Sequence, residues 1–278
     1  MSKTDQIYNQ LVNDILENGI WDKDQNVRTK WADGTPAHTK SIIGRQLHFD
    51  GTEVPILTTK YVPPKTPIIE ALWFFVGKTS DCSYLDEHNV KIWKEWANAD
   101  NHIGKSYGYQ AGKKVRQLNG AMVDQIDYLI HQLRHNPASR RHMTTWWNID
   151  DLDQMELEPC WHSTQWLVKA GKLHLIVTSR SADVFLGLPF NIYQYYVVLR
   201  AVAQVTNLEV GTMTCNLGDV HIYDRHIDII QEQMALPGFQ APTLWVNPNV
   251  KEMNDFTIED FKLVDYKHGP KLKAEVAI

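Results

Sequence analysis

The chain has 278 residues, of which 43% are hydrophobic, and this is enough apolar mass for one large domain or two small ones. The formal net charge of −5 disfavours a general binder of nucleic acids or acidic membranes, because such proteins are usually basic. Three widely spaced cysteines do not form a disulfide framework, and neither a membrane-spanning apolar run nor a signal-peptide core occurs, so we expect a protein of the reducing cytoplasm.

Apolar spacing in the first half of the chain predicts three helices and a strand. The first helix has an apolar stripe made of Ile7, Leu11, Val12, Ile15 and Leu16. Gly19 is expected to end it, and Ile43, Leu47 and Phe49 are expected to share one face of a strand. The stretch TPIIEALWFFVG is apolar nearly all round, which predicts a buried helix. The third helix, which ends before Pro137, has its apolar side at Val123, Ile126, Ile130 and Leu133.

Strand and helix patterns also alternate in the second half. RHMTTWWN, HSTQWLV and KLHLIVTS read as strands, and in the last of them Leu173, Leu175 and Val177 alternate with polar residues. NIYQYYVVLRAVAQVTN predicts a long buried helix, and HIYDRHIDIIQEQMAL predicts a strand end followed by a helix. No linker rich in Pro, Gly or Ser divides the chain, so we predict a single α+β domain spanning residues 1–278.

Glu70 is a carboxylate inside the helix that is predicted to be buried. Burying it is costly unless the carboxylate is paired, hydrogen-bonded or protonated, which makes it a candidate for proton chemistry. The alternative is a glutamate on a narrow polar stripe of that helix. Because the sequence has no CxxC pair and no HExxH, a dedicated zinc site is not expected.

Arginines next to predicted element ends suggest a phosphate site. Arg140 and Arg141 follow a helix, Arg180 and Ser181 end a strand, and Arg28 precedes a strand. A guanidinium group offers a rigid fork of donors that suits phosphate, but no GxxxxGK[ST] is present, so the site would not be a P-loop. Taken singly, each arginine is also compatible with a surface ion pair.

Cys160, in ELEPCWHSTQW, is surrounded by apolar and aromatic residues and would ordinarily be inert packing. A reactive thiol needs a nearby positive charge or base, which arginines gathered for a phosphate would provide. His221 and Tyr223 lie on one side of a strand and could bind a sugar hydroxyl. Trp93 and Trp96 could form one aromatic wall, although core packing explains them equally well.

These segments together resemble the thymidylate synthase family almost from end to end. The segments that carry the resemblance are RTKWADGT, PILTTK, ALWFFVGKT, IWKEWA, NPASRRH, EPC with TQW, SRSADVFLGLPFNIYQY, GDVHIY and the terminal VAI. The resemblance implies a large twisted mixed β-sheet flanked by helices, with two such sheets packed back to back in a homodimer.

The resemblance also implies a reaction. Deoxyuridine monophosphate (dUMP) would be reductively methylated to dTMP, with 5,10-methylenetetrahydrofolate supplying both the one-carbon unit and the hydride. Addition of a thiolate to carbon 6 of uracil turns carbon 5 into an enolate carbon, which can then attack the one-carbon unit. The implied partners are therefore dUMP and folate, with no metal, no membrane and no nucleic acid.

Residue roles follow from the same matching. The catalytic residues would be Cys160 as nucleophile, Glu70, Tyr107, Asn191 and Arg180. The dUMP-binding residues would be Arg28, Arg140, Arg141, Gln165, Arg180, Ser181, Asp183, Asn191, His221 and Tyr223. The folate-binding residues would be Lys60, Trp93, Trp96, Leu157, Asp183, Leu186, Gly187, Phe190 and Ala277.

Some of these implied roles are specific. Asn191 would read the uracil edge, Gln165 would help to seat the ring or its sugar, and Lys60 would meet the glutamate tail of folate. Arg140 and Arg141 would serve the active site of the other subunit. The terminal residues VAI would close over the ligands and exclude water.

The chain departs from the family pattern at three places, and two other functions remain open. Trp161 stands where many members carry a histidine, Ala182 where cysteine or asparagine is common, and the segment Tyr61–Lys65 is less basic than usual. A dUMP hydroxymethylase of the same superfamily would form the same adduct but add water instead of hydride. An RNA-binding regulator is a further alternative, to which the net charge of −5 gives no support.

Overall fold

The computed structural model describes residues 1–278, in which helices and strands alternate irregularly. The seven α-helices are α1 (Lys3–Asn18), α2 (Lys65–Leu72), α3 (Ser83–Glu87), α4 (Tyr107–Gly112), α5 (Gln125–His135), α6 (Gly187–Val205) and α7 (Ile227–Ala235). The strands are β1 (Ile20–Trp21), β2 (Thr39–Phe49), β3 (Arg116–Leu118), β4 (Ala121–Val123), β5 (His142–Thr145), β6 (Trp161–Lys169), β7 (Lys172–Asp183), β8 (Glu209–Tyr223), β9 (Thr243–Val246) and β10 (Phe261–Val264). A π-helical turn, Trp73–Gly77, continues α2.

Six strands form a central sheet in the order β1-β2-β8-β7-β6-β5. β7 and β8 are parallel and every other neighbouring pair is antiparallel. A parallel pair needs a crossover connection, and α6 supplies it while packing against both strands. α2, which carries Glu70, packs in turn against the helix α6. The predicted mixed sheet with flanking helices is confirmed.

The core lies between this sheet and α6. Leu173, Leu175 and Val177 on β7 are fully buried, which confirms the predicted alternation. They belong to one continuous cluster of 62 buried apolar residues, which also includes most of α6. Burial of this apolar area is the main favourable term that holds α6 in place, and α6 carries Asn191 at its start.

A kink crosses the sheet and reverses the alternation of side chains. On β2, Ile42 is buried and Ile43 is 72% exposed, so the prediction that Ile43 shares the buried face of Leu47 and Phe49 is wrong. The reason is Gly44, whose φ of +69° is accessible to glycine and shifts the following residues to the other face.

The kink continues into the neighbouring strands, where the pairing skips Gly218 on β8 and Arg180 on β7. Gly218 of β8 faces β7 so closely that a Cβ would lie 2.8 Å from the Arg180 carbonyl oxygen. Between β6 and β7 the register shifts at Trp161 and Ser163. Cys160 lies directly before this irregularity, at the start of β6.

Most of the predicted elements are present, but several differ, and α3, α4 and the hairpin of β3 and β4 were not predicted. α1 ends at Gly19 as expected, and a capping box at Ser2 begins it. Val123 belongs to β4 and not to the helix α5, because the Asp124 side chain caps that helix one residue later. β8 is 15 residues long, whereas the sequence indicated only its end, and the hairpin of β9 and β10 was not predicted. No helix is long and apolar enough to cross a membrane.

Candidate active site

A cleft of about 300 Å³ opens where the kinked strands meet the start of α6. Its lining residues are Arg28, Thr29, Trp96, Leu157, Cys160, Trp161, Arg180, Ser181, Ala182, Asp183, Gly187, Asn191, His221, Tyr223, Val276, Ala277 and Ile278. The structure thus brings together a thiol, two arginines, an amide and the histidine–tyrosine pair from five separate parts of the sequence. Their convergence in one concave site is typical of an active site.

Cys160 is held from both sides by backbone hydrogen bonds. Its N–H donates to the Tyr107 hydroxyl oxygen at 2.9 Å, and its carbonyl accepts from the Arg180 N–H at 2.8 Å. Burial raises the pKa of the thiol, while the nearby Arg180 and Arg28 guanidinium groups lower it. The sequence suggested that arginines keep the thiol ionised, but in this chain burial outweighs them.

Glu70 on α2 is almost completely buried behind the cleft. Its Oε1 accepts from the Trp93 indole N–H at 2.5 Å, and its Oε2 accepts from the Gln194 amide at 2.5 Å. Burial raises the pKa of this carboxyl to about 7, against the two hydrogen bonds that lower it. A carboxyl with such a pKa can give up or take a proton near neutral pH, as a general acid–base group must.

Gln194 was not predicted and links Glu70 to the cleft. It lies on α6 and its Oε1 accepts from Asn191 Nδ2 at 3.3 Å. Glu70, Gln194 and Asn191 therefore form one row of hydrogen-bonded side chains that ends at the cleft wall. The only sequence signal was a glutamine three residues after Asn191 in a helix that was predicted to be buried.

Aromatic side chains surround this row. Tyr107 stacks on Phe74 with ring centroids 4.6 Å apart, and burial raises its pKa well above 10. Trp93 and Trp96 make an edge-to-face contact at 6.0 Å, as the predicted aromatic wall requires. Trp93 is buried against Glu70, whereas Trp96 lines the cleft.

The arginines fall into two groups. Arg28 and Arg180 line the cleft together with Ser181. Arg180 is also fixed in place, because its guanidinium donates to the carbonyls of Glu158 and Pro159 at 2.9 and 3.2 Å, just before Cys160 in the chain.

Arg140 and Arg141 do not reach this cleft. They are exposed in the connection between α5 and β5, and Arg141 borders a different pocket, which includes Arg116 and Tyr128. Within one chain they are therefore separated from Arg28 and Arg180.

The end of β8 supplies the histidine–tyrosine pair. His221 and Tyr223 have ring centroids 5.0 Å apart and both line the cleft, as predicted from their spacing. Asp219, which was not predicted, lies 2.6 Å from His221 Nδ1 and orients the ring. Burial raises the pKa of Tyr223 to about 12, so its hydroxyl stays protonated and can donate.

The start of α6 forms another wall. The Asp183 carboxylate accepts from the N–H groups of Phe185 and Leu186 at 3.0 and 3.2 Å. Among the predicted folate contacts, Leu157, Asp183 and Gly187 line the cleft with Trp96 and Ala277. Leu186 and Phe190 are half-buried beside it and do not border it.

Two predicted contacts need correction. Gln165 lies on β6 five positions beyond Cys160, and its amide donates to the Arg140 carbonyl at 3.2 Å, so it does not border the cleft of its own chain. Lys60 is 5% exposed, and its ammonium group donates to the Phe185 carbonyl and lies 3.8 Å from the Phe185 ring centre. Burial lowers the pKa of Lys60 to about 7, and its ammonium group faces Phe185 inside the protein and not solvent.

The C-terminal residues form the outer rim of the cleft. The backbone of Ile278 pairs with that of Lys30 through two hydrogen bonds of 2.7 and 2.9 Å. Glu275 accepts from the Ala32 N–H at 2.8 Å and from Arg225 at 2.9 Å, and Arg225 also bonds Asp33 at 2.6 Å. This rim network was not predicted, because its members lie far apart in sequence.

Comparison with known proteins gives one consistent result. The sequence model of the family described as "Thymidylate synthase" matches residues 6–278. Thymidylate synthase 1 of Bacillus subtilis (strain 168) is 55% identical over the full length of both chains, and the thymidylate synthase of Bacillus phage phi3T is 54% identical over the full length of both. The solved structure of the thermostable thymidylate synthase A from Bacillus subtilis has a TM-score of 0.96 at 54% identity, with full coverage of both chains. The chain belongs to the thymidylate synthase family.

Proposed function

We propose that this protein converts dUMP to dTMP by reductive methylation, with 5,10-methylenetetrahydrofolate as donor of both carbon and hydride. The observation that carries the proposal is the meeting of Cys160, Arg28, Arg180 and Asn191 in one cleft, with Glu70 behind it. Family membership supports the same reaction and gives no support to the hydroxymethylase alternative.

Each group in the cleft has a place in binding dUMP. Arg28, Arg180 and Ser181 bind the phosphate, because forked N–H donors and a hydroxyl match its oxygens. His221 and Tyr223, which lie at the end of β8, bind the sugar hydroxyl. Cys160 reacts as its thiolate, so its proton passes to solvent before the carbon–sulfur bond forms, and the Arg180 and Arg28 guanidinium groups favour this loss against the burial that raises the thiol pKa.

The chemistry begins at Cys160. Its sulfur adds to carbon 6 of uracil, carbon 5 becomes nucleophilic and takes the one-carbon unit, and the proton on carbon 5 is then removed. Glu70, with its pKa of about 7, takes up and releases protons during the reaction. The Tyr107 hydroxyl accepts from the Cys160 N–H and therefore lies beside the nucleophile. As the proton on carbon 5 leaves, the bond between the new carbon and the folate nitrogen breaks, which gives an exocyclic methylene on carbon 5 and tetrahydrofolate. Hydride transfer from the tetrahydrofolate then completes the methyl group, the sulfur leaves as thiolate, and dihydrofolate is the second product.

The folate pocket is the remaining part of the cleft. Trp96, Leu157 and Gly187 offer apolar and aromatic surface for the flat pterin, while Asp183 offers a carboxylate for its ring N–H groups. Val276–Ile278 lie over this part and exclude water, which protects the reactive methylene that forms on carbon 5 before hydride arrives.

A homodimer completes the site in this proposal. The outer face of the sheet carries exposed apolar side chains, with Ile43 at 72% and Met143 at 58% exposure. Arg180 borders both the cleft and a second pocket on the strands β2, β6, β7 and β8. Packing two outer faces together brings Arg140 and Arg141 of one subunit to the Arg180 of the other, where they add to the phosphate site.

One assay separates the enzymes of this superfamily. Protein, dUMP and 5,10-methylenetetrahydrofolate are mixed, and dihydrofolate is followed by absorbance. A thymidylate synthase produces dihydrofolate in step with dTMP, whereas a hydroxymethylase leaves the folate unoxidised. Replacement of the nucleophile, Cys160→Ala, is expected to abolish turnover while dUMP still binds, since its phosphate and base contacts lie elsewhere. Near-native turnover of Cys160→Ala would contradict the proposed function.

A further inference from the structure

Gln194 is a buried side chain that is linked to the cleft only through hydrogen bonds to neighbouring side chains. It is 3% exposed and does not border the cleft. Its Nε2 donates to Glu70 Oε2 at 2.5 Å, and its Oε1 accepts from Asn191 Nδ2 at 3.3 Å. Gln194 therefore joins the Glu70 carboxylate of α2 to the Asn191 amide, which lines the cleft.

The direction of these hydrogen bonds is fixed by chemistry. An ionised carboxylate can only accept, and the Trp93 indole, which can only donate, already occupies Glu70 Oε1. The remaining oxygen must face the N–H₂ end of Gln194, so the carbonyl end of Gln194 must face Asn191. Asn191 in turn must present its N–H₂ to Gln194. The charge of Glu70 thus determines which way round two amides lie.

We propose that Gln194 is a positioning residue that passes the acceptor character of Glu70 on to Asn191, and that it thereby makes the site select uracil over cytosine. The inference rests on the proposed function, because it takes Asn191 to be the residue that reads the base.

The base preference follows from the orientation of the Asn191 amide. With Nδ2 toward Gln194, its second N–H is available to uracil O4 and Oδ1 is available to the uracil N3–H. Asn191 Oδ1 lies 3.6 Å from the position of a Cβ built on Gly187, which borders the cleft. If both amides turned over, Nδ2 would face the ring N3 and Oδ1 the exocyclic group, which is the pattern that cytosine requires.

The isosteric variant Glu70→Gln reverses the direction of the hydrogen bonds along the row and leaves the size of the side chain unchanged. Its carbonyl oxygen would still accept from Trp93, so its N–H₂ would face Gln194 and turn both amides over. We expect the ratio of the dCMP to dUMP dissociation constants, measured by calorimetry at about pH 8.5, to fall by about tenfold or more. At this pH the wild-type carboxyl, with its pKa of about 7, is ionised.

Gln194→Met tests whether the effect travels through Gln194. Methionine fills the same volume and can transmit no orientation, so Glu70→Gln is expected to leave the ratio unchanged when it is made in the Gln194→Met background. Gln194→Leu repeats the test if Gln194→Met proves unstable. The matched control is Gln233→Met, which removes another buried glutamine, bonded to Thr59 and away from the cleft, and is expected to keep the wild-type ratio.

Two results would overturn the inference while the proposed function stands. One is a Glu70→Gln protein whose ratio stays within about twofold of wild type. The other is an equal fall of the ratio in the presence and absence of Gln194. Failure of the wild-type protein to bind dUMP or to form dihydrofolate would instead overturn the proposed function, and the inference with it.

Discussion

The floor and the rim of the cleft are built on different physical principles. On the floor, Glu70 and Cys160 are surrounded by packed side chains, and burial raises the pKa of both. On the rim, Glu275 and Asp33 are about a third to a half exposed, and hydrogen bonds lower their pKa values. The donors are first the Ala32 N–H and then Arg225 for Glu275, and first Thr35 and then Arg225 for Asp33. Desolvation controls the pKa values in the first region, and exposed hydrogen bonds, including those to Arg225, control them in the second.

This difference separates chemistry from closure. When a buried polar group is removed, no water can take over its hydrogen bonds. A change on the floor therefore alters protonation or base reading directly. Exposed ion pairs contribute little each and are screened by salt, so a change on the rim shifts only how long the C-terminal residues stay in place. We therefore expect large effects from the floor and small ones from the rim.

Arg140 and Arg141 belong to neither region of their own chain, and the largest predicted effect concerns them. Cys160→Ala and Arg140→Ala proteins are each expected to have little activity. If Arg140 serves the partner's cleft, subunit exchange creates heterodimers with one intact site, and the mixture should regain about one quarter of wild-type activity. The measurement is dihydrofolate formation before and after exchange. No recovery, with exchange confirmed independently, would place Arg140 outside the partner's site.

Glu70 should also leave a signature in stability. Its pKa of about 7 in the folded chain lies above the usual 4.5, so its contribution to stability is full below about pH 4.5 and is lost as pH rises through 7. Glu70→Gln does not titrate. Relative to this variant, the free energy of unfolding of the wild type should fall by up to about 3 kcal/mol between about pH 5 and about pH 8.

Urea unfolding of the two proteins across this pH range measures the difference. A gap between them that does not vary with pH would mean that Glu70 has an ordinary pKa, and the contrast between floor and rim would lose its main support.

Base reading at Asn191 is the next effect in size. An aspartate can only accept when ionised, so at this position it would face uracil O4 with lone pair against lone pair, while it could accept from the cytosine amino group. Asn191→Asp is expected to lose activity on dUMP and to shift the ratio of kcat/KM values toward dCMP by at least about tenfold. An unchanged ratio at one pH would show that Asn191 does not read the base.

The smallest predicted effect is on the rim. Glu275→Ala removes the contacts to Ala32 and Arg225, so carboxypeptidase should release the C-terminal residues roughly two- to fivefold faster than from wild type. Glu232→Ala, which changes an exposed glutamate on α7, is the matched control. The difference should shrink at high salt. Equal release rates at low salt would mean that Glu275 does not hold the tail.

Much of the site could be predicted because its residues are carried by long motifs. The alternation on β7 and the reading of His221 and Tyr223 as one strand face needed only the period of a strand. The meeting of Cys160 with Arg28, by contrast, depended on resemblance to a family, since nothing local indicates that residues so far apart share a cleft.

What could not be predicted depends on local conformation or on contacts distant in sequence. Ile43 was misplaced because a positive φ at Gly44 is not visible as a break in the apolar pattern. Gln165 was assigned to the site through the resemblance to the family, yet in this chain the extended strand β6 carries it away from the cleft. Gln194 was missed because its decisive contact, Glu70, lies 124 positions away. Burial of Lys60 depends likewise on Phe185, which comes much later in the chain.

The central claim is that Cys160 forms a covalent bond with the nucleotide. The most direct test uses dUMP with fluorine at carbon 5, together with 5,10-methylenetetrahydrofolate. Fluorine cannot leave carbon 5 as a proton does, so the adduct should accumulate. Intact-protein mass spectrometry is expected to show the mass of protein plus nucleotide plus folate, with peptide mapping placing the addition on Cys160. An unmodified wild-type mass, or the same added mass on Cys160→Ala, would contradict the account.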